Sequence, residues 1–268
     1  MHLKTADRVL AVLRLFSIER PDWTVDAAAQ ELGLSQSTAY EYFKSLVDSG
    51  LLVTSKPGRY VIGPAIIEYD RLTRTCDPLI ANAEPILKEL VRSSRIPAVG
   101  LLCRLYRLKV MCVEQYTQTP IDFAVSYERG RPMPLFRGSA SKIILAHMER
   151  RKLRRYYSEF AVEVAAAGMG DSWRTFRTML RHIRAAETSV TKGELDPGRV
   201  GVSAPVFGPD GEILGSIGLV LSERDLTKRK GLLMQLQLKV ARAGGELSGA
   251  LKESDRPPQA DRGIRPRV

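Results

Sequence analysis

Apolar residues near the start of the chain recur at helical spacing, interrupted by glycines where a helix would have to stop. Thr5–Ser17 sets Val9, Val12, Leu13 and Phe16 on one face of a first helix. Thr24 can cap a second, Val25–Leu32, packed through Ala27, Ala28 and Leu32 and broken at Gly33. Ser35 opens a third helix, with Leu34 placed for a hydrophobic staple. Ala39, Phe43, Leu46 and Val47 form its apolar stripe, and Gly50 supplies the left-handed residue that ends it. The period then changes. Leu51–Ser55 and Arg59–Ile62 read as strands around Lys56-Pro57-Gly58, whose Pro and Gly are ordered for a type II turn. Helix, glycine turn, helix, glycine and a basic-tipped hairpin together predict a winged helix-turn-helix that reads DNA.

The polar face of the third helix carries suitable chemistry. Ser35, Gln36, Ser37, Thr38, Tyr40, Glu41 and Lys44 lie off the apolar stripe, near the helix start where base edges are met. Gln can pair with adenine, Glu with cytosine and Lys with guanine or phosphate, while hydroxyls reach phosphates. Lys56 and Arg59 on the wing can meet phosphates or enter a minor groove. A plain three-helix core with a solvated face would account for any one of these residues. Their joint order favours the DNA-reading alternative.

Further along, Gly63-Pro64 starts a linker helix over 64–77 with Ile66, Ile67 and Leu72. Asp77-Pro78 opens an amphipathic helix carrying Ile80, Ala83, Ile86, Leu87, Leu90 and Val91 on one face. Ala98–Arg104 and Lys109–Tyr116 predict strands, Phe123–Ser126 a third, and Ser139–Met148 a helix. Ser172–Glu187 predicts a helix with Trp173, Phe176, Leu180 and Ile183 inward. Val200–Phe207 and Glu212–Leu221 form a hairpin across Gly208-Pro209-Asp210-Gly211, and Leu226–Leu251 a terminal helix. This order implies an α+β chain: a DNA-binding domain over 1–63, the linker helix, an antiparallel-sheet domain over 78–251, and a disordered tail over 252–268.

Charge alters that picture in one respect. The net charge is +11, but residues 1–75 hold nine Lys/Arg and nine Asp/Glu. The basic excess lies outside the reading head, so the motif and not the charge locates it. Cys76, Cys103 and Cys112 lack CxxC spacing, and Cys103 and Cys112 read as small buried hydrophobes in a reducing compartment. Neither they nor the scattered His2, His147 and His182 suggest a metal site. No stretch reaches the length of a membrane span and no signal peptide is evident, so a soluble cytoplasmic protein without membrane partners or cofactor is expected.

Two motifs admit competing readings. Ser139-Ala140-Ser141-Lys142 spells the S-x-x-K of serine acyl enzymes, but a helix start with Ser139 as cap, its free N–H groups meeting an anion, explains it as well. Arg174, Arg177, Arg181 and Arg184 form a helix stripe that reads as a solvated face or as a surface for an acidic partner or DNA phosphates. Arg150–Arg155 reads as a basic helix end or surface.

Over residues 3–251 the chain resembles the IclR family of bacterial transcriptional regulators. The resemblance rests on Ala6-Asp7-Arg8-Val9-Leu10, Gly33-Leu34-Ser35-Gln36-Ser37-Thr38, Tyr60-Val61-Ile62-Gly63-Pro64, Arg137-Gly138-Ser139-Ala140-Ser141-Lys142 and Val202-Ser203-Ala204-Pro205-Val206-Phe207. It implies a homodimer or homotetramer on a double-stranded DNA operator, commonly of a catabolic operon. It also implies a GAF-like effector domain that binds a small carboxylate or aromatic acid, with no catalysis. The effector would touch Met133, Ser139, Ala140, Gly201, Gly218 and Val220. Glu41 stands where relatives usually carry a basic residue, Gly201 where many have Cys, and Gly218-Leu219-Val220 where some have Ser-x-Ser. Losing those polar groups implies a wider, more apolar pocket suited to an aromatic or bulky acid. Two alternatives stay open: a Ser139/Lys142 acyl-transfer enzyme, and a constitutive DNA-binding protein whose second domain serves assembly.

Overall fold

Thr24 caps the helix that opens the DNA-reading motif, its hydroxyl accepting from the Ala27 N–H, and Gly33 closes that helix at φ 62°. The structure, a computed structural model, describes residues 5–254 and divides into two compact units between Asp77 and Pro78. The first holds α1 (Thr5–Leu13), α2 (Val25–Leu32), α3 (Gln36–Asp48), the hairpin β1 (Leu52–Lys56) and β2 (Arg59–Ile62), and α4 (Ala65–Cys76). Ala39, Tyr42, Phe43 and Leu46 of α3 are buried, and all but Ala39 join Val12, Trp23, Ala28 and Leu52 in one core cluster. Val47, expected in the stripe, only packs at its margin, and Tyr42 joins the buried cluster instead. Gly58, at φ 71°, completes the turn between Lys56 and its partner Arg59. A methyl at Gly63 would stand 2.2 Å from the Gly50 carbonyl oxygen, so the hairpin can return past the end of α3 only with glycine there.

Trp23 fastens this hairpin to the helices. It exchanges backbone hydrogen bonds of 3.0 and 2.9 Å with Tyr60, donates its indole N–H to the Leu15 carbonyl and lies beneath the Arg20 guanidinium. That arrangement shortens the first helix, expected over Thr5–Ser17 but ending at Leu13. The Leu15 carbonyl is taken by Trp23 and the Ser17 hydroxyl by the Arg20 N–H, while Phe16 still packs on the core from outside the helix.

The second unit is α+β. Its elements are α5 (Pro78–Ser94), β3 (Ala98–Tyr106), β4 (Lys109–Tyr116), β5 (Pro132–Pro134), α6 (Ser139–His147), α7 (Arg150–Ala166) and α8 (Trp173–Ala185). There follow β6 (Ser189–Lys192), β7 (Arg199–Phe207), β8 (Ile213–Ser222), α9 (Glu223–Thr227) and α10 (Leu232–Ser254). The strands make one antiparallel sheet in the order β5-β4-β3-β8-β7-β6. Alternation along the strands serves two cores. Val200, Val202, Ile217 and Leu219 meet α5 and α10. Leu101, Cys103, Val110 and Val220 meet the residues of α6, α7 and α8 on the other face.

Several expectations are corrected here. Phe123–Ser126 is not a strand: the Ser126 N–H and hydroxyl are bonded to the Asp196 carboxylate, and the Phe123 ring lies 4.2 Å from the Arg199 guanidinium carbon. The sheet edge is instead Pro132–Pro134, paired with Lys109–Met111. Arg150–Arg155 begins a full helix, bent at Phe160, and Ser189–Lys192 is a further edge strand. The terminal helix breaks near Gly231, at φ 77°, into α9 and α10. Residues 252–254, assigned to the tail, are the last of α10, and the rest of that tail lies outside the described residues. Arg184, in the stripe expected to be solvated, donates twice to the Ala146 carbonyl at the end of α6. Cys103 and Cys112 are opposite one another and fully buried. A hydrogen bond to Cys112, and burial, push the Cys103 thiol well above its ordinary range. Among the described residues no helix is long and apolar enough to cross a membrane.

Candidate functional site

The reading helix presents its polar residues in two groups. Ser35 caps α3 through the Thr38 N–H, and its hydroxyl also lies 3.1 Å from that of Ser37 and 2.8 Å from that of Thr38. These hydroxyls are bound up in the cap. Gln36, Tyr40, Glu41 and Lys44 are exposed beyond it. Tyr40, 57% exposed, is a large ring left in solvent on the polar face of a helix whose other face is fully used. The wing divides similarly. Lys56 is exposed at the hairpin end, whereas Arg59 is held by Asp22 at 2.9 Å. An exposed pair of that kind is worth about 0–1 kcal/mol, so a phosphate could take the guanidinium at little cost. Replacing Lys56 by alanine is expected to weaken specific and random DNA alike and to flatten the salt dependence by about one unit of slope. Binding measured across a salt series decides this; an unchanged slope removes Lys56 from the interface.

In the second unit, the start of α6 lies against β7 and β8. Gly138, at φ 81° and ψ 149°, occupies the cap position with no side-chain bond, so Ser139 is not the cap expected from sequence. The Ser139 hydroxyl pairs with that of Ser203 at 2.9 Å, and the Ser216 hydroxyl donates to the Ala140 carbonyl. Gly201 and Gly218 belong to this same bed of small residues. A methyl at Gly201 would stand 2.5 Å from the Ser139 hydroxyl oxygen, and one at Gly218 2.3 Å from the Val202 carbonyl. Gly201 therefore admits the start of α6 and Gly218 the neighbouring strand β7, and neither opens the wide apolar space their side-chain loss suggested.

What remains is a cleft of about 30 Å³ lined by Tyr127, Gly138, Ser139, Thr191, Glu194, Leu195, Asp196, Arg199, Gly201 and Val220. Of the six residues expected around an effector, Ser139, Gly201 and Val220 line it. Met133 and Ala140 are buried in the core and Gly218 is packed on β7. Sequence reasoning missed the polar wall. Tyr127 sits in an irregular segment, and Glu194, Leu195 and Asp196 in the turn after an unforeseen strand, so no periodicity marked them.

Electrostatics organise that wall. Burial pushes the Tyr127 phenol well above its ordinary range, so it stays protonated. It donates to the Arg137 carbonyl, accepts from the Ser141 N–H and lies 2.7 Å from the Ser141 hydroxyl. The Lys142 ammonium is 2.5 Å from Glu194, which lines the same cleft. Ser139 and Lys142 thus each have another partner, and the base-to-nucleophile contact that acyl transfer needs is not made.

The two units correspond to separate family models. "IclR helix-turn-helix domain" matches residues 5–56, and "Bacterial transcriptional regulator IclR C-terminal" matches residues 74–248. The chain is 24% identical over 236 residues to the HTH-type transcriptional regulator KipR of Bacillus subtilis (strain 168), covering 84% of this chain and 88% of that one. An IclR transcriptional regulator from Silicibacter sp. TM1040 is superposable with a TM-score of 0.75 at 16% identity, covering 93% and 96% of the two chains. An IclR homologue from Microbacterium hydrocarbonoxydans, crystallised with 4-hydroxybenzoate, gives 0.69 at 17% identity, covering 93% and 100%. With both halves matched in order along a single chain, the protein belongs to the IclR family of bacterial transcriptional regulators.

Proposed function

We propose that this regulator binds a palindromic operator as a homodimer or homotetramer in the cytoplasm, and controls a catabolic operon in response to an organic acid, aromatic or otherwise bulky. The effector's acid group lies at the start of α6, near Gly138 and Ser139, and its apolar part against Leu195 and Val220. The observation that carries this reading is the convergence of hydroxyls, an arginine and a helix start on one small cleft. The relative crystallised with 4-hydroxybenzoate lends weight to an aromatic acid. Because 30 Å³ is on the order of one water, a ring can enter only if the segment carrying Phe123 and Tyr127 moves outward. The same volume favours a second reading, a two- or three-carbon acid. Titration of the protein with aromatic acids beside pyruvate and glyoxylate separates them, and tighter binding of the small acids defeats the aromatic reading. No thermal shift across the whole panel would leave a constitutive DNA-binding protein.

For the operator, half-sites about 10 base pairs apart, or a multiple, are expected from two symmetric reading helices. Gln36→Ala and Tyr40→Ala should each weaken a specific site by about 1–3 kcal/mol while changing random DNA far less. Equal losses on both DNAs would mean that these side chains touch only phosphates.

A further inference from the structure

The cleft already contains a carboxylate, supplied by the chain itself. Lys142 is only 8% exposed, and a buried ammonium is costly unless paired. Its partner is Glu194 Oε1 at 2.5 Å. The other oxygen, Oε2, accepts from the Gly138 N–H at 3.1 Å, so one carboxylate bridges a buried cation and the amide that begins α6. The Glu194 main chain is anchored separately, its carbonyl accepting from the Arg137 guanidinium at 2.7 Å. Two residues on, Asp196 holds the Phe123–Tyr127 segment through Ser126. Glu194 itself lines the cleft and keeps a side-chain exposure of 31%, so the carboxylate can turn outward without crossing the core.

We infer that Lys142 Nζ and the Gly138 N–H form a carboxylate site occupied by Glu194, and that an acid effector binds by exchanging with it. This rests on the reading of the cleft as the effector site. Exchange keeps one negative charge on Lys142, so it selects acids against their amides or esters, which would leave the ammonium buried and unpaired. Only an anion with two acceptor oxygens can bridge both groups as Glu194 does. Because the Glu194 main chain stays anchored by Arg137, the exchange needs only the side chain to turn, and the Asp196–Ser126 bonds can persist.

The full-length Glu194→Ala variant, probed with acetate, tests this directly. Its melting temperature should lie below that of the wild type and rise by about 3–6 °C at ten times the acetate Kd. Chloride at equal ionic strength, and acetamide at equal concentration, should give no such rise, and the wild type should barely respond to acetate. Equal responses of the variant to acetate, acetamide and chloride would overturn the proposal. Should Glu194→Ala not fold, Glu194→Gln keeps the shape, and calorimetry should find it binding acetate about tenfold more tightly than wild type; equal affinity would also overturn it. Acetate rescue in a protein whose wild type answers to no organic acid would defeat the effector assignment and leave the carboxylate site standing. Tight acid binding by wild type without any rescue would do the reverse.

Discussion

Phe43→Ala is expected to melt the DNA-reading unit while the second unit stays folded and still binds its ligand. Phe43 is 1% exposed and meets Tyr60 of the wing edge-on, with ring centroids 4.9 Å apart. Removing such a ring costs about 3–5 kcal/mol from lost burial and the cavity left behind. A domain spanning only Met1–Asp77 holds stability on the order of 0.05–0.15 kcal/mol per residue, so the loss takes most of it. The core cluster around Phe43 shares no residue with the two clusters of the second unit. Calorimetry of the full chain should show the first transition lost at 37 °C and the ligand-dependent one kept. A single cooperative transition that falls as a whole would show the units to be coupled.

Gly201→Leu is expected to abolish ligand response and spare operator binding. Its Cβ would press on the Ser139 hydroxyl at 2.5 Å and on the Thr191 hydroxyl at 3.3 Å, breaking the Ser139–Ser203 bond and displacing the start of α6. The rest of the leucine then fills a space of about 30 Å³. For the wild type, a ligand at a hundred times its Kd stabilises by about 2.7 kcal/mol. The variant should show none of that shift, with operator affinity unchanged in a gel or anisotropy titration. A normal ligand-induced shift would mean that the effector sits elsewhere.

Legibility in the sequence followed how local the determining interactions are. Thr24, Gly33, Ser35 and the Pro57-Gly58 turn act over three or four residues, and each does in the structure what its type and spacing suggest. Trp23 was silent because its partners, Leu15 and Tyr60, become neighbours only on folding. The cleft beside α6 was harder still. Ser126 meets Asp196, and Ser139 meets Ser203, across separations of 70 and 64 residues. Gly201 and Gly218 misled for a physical reason: a missing side chain can make space for a ligand or for a neighbouring backbone, and a strand pattern does not distinguish them. The Lys142–Glu194 pair was hidden similarly, since the S-x-x-K spacing directs attention along the helix and the partner comes from another loop.

The chain has two tryptophans, and they fall one to each unit. Trp23 is 4% exposed, with its indole N–H bonded to a carbonyl and a guanidinium over its ring. Trp173 is half-buried at the start of α8, between Tyr157 and the Arg154 and Arg177 side chains. Replacing either with phenylalanine leaves tryptophan emission, excited at the red edge where tyrosine does not absorb, from the other unit alone. Trp173→Phe isolates the signal of the wing and its attachment, and Trp23→Phe that of the effector-binding unit. Operator binding and acid binding can then be followed as separate optical signals in a full-length protein that needs no attached dye.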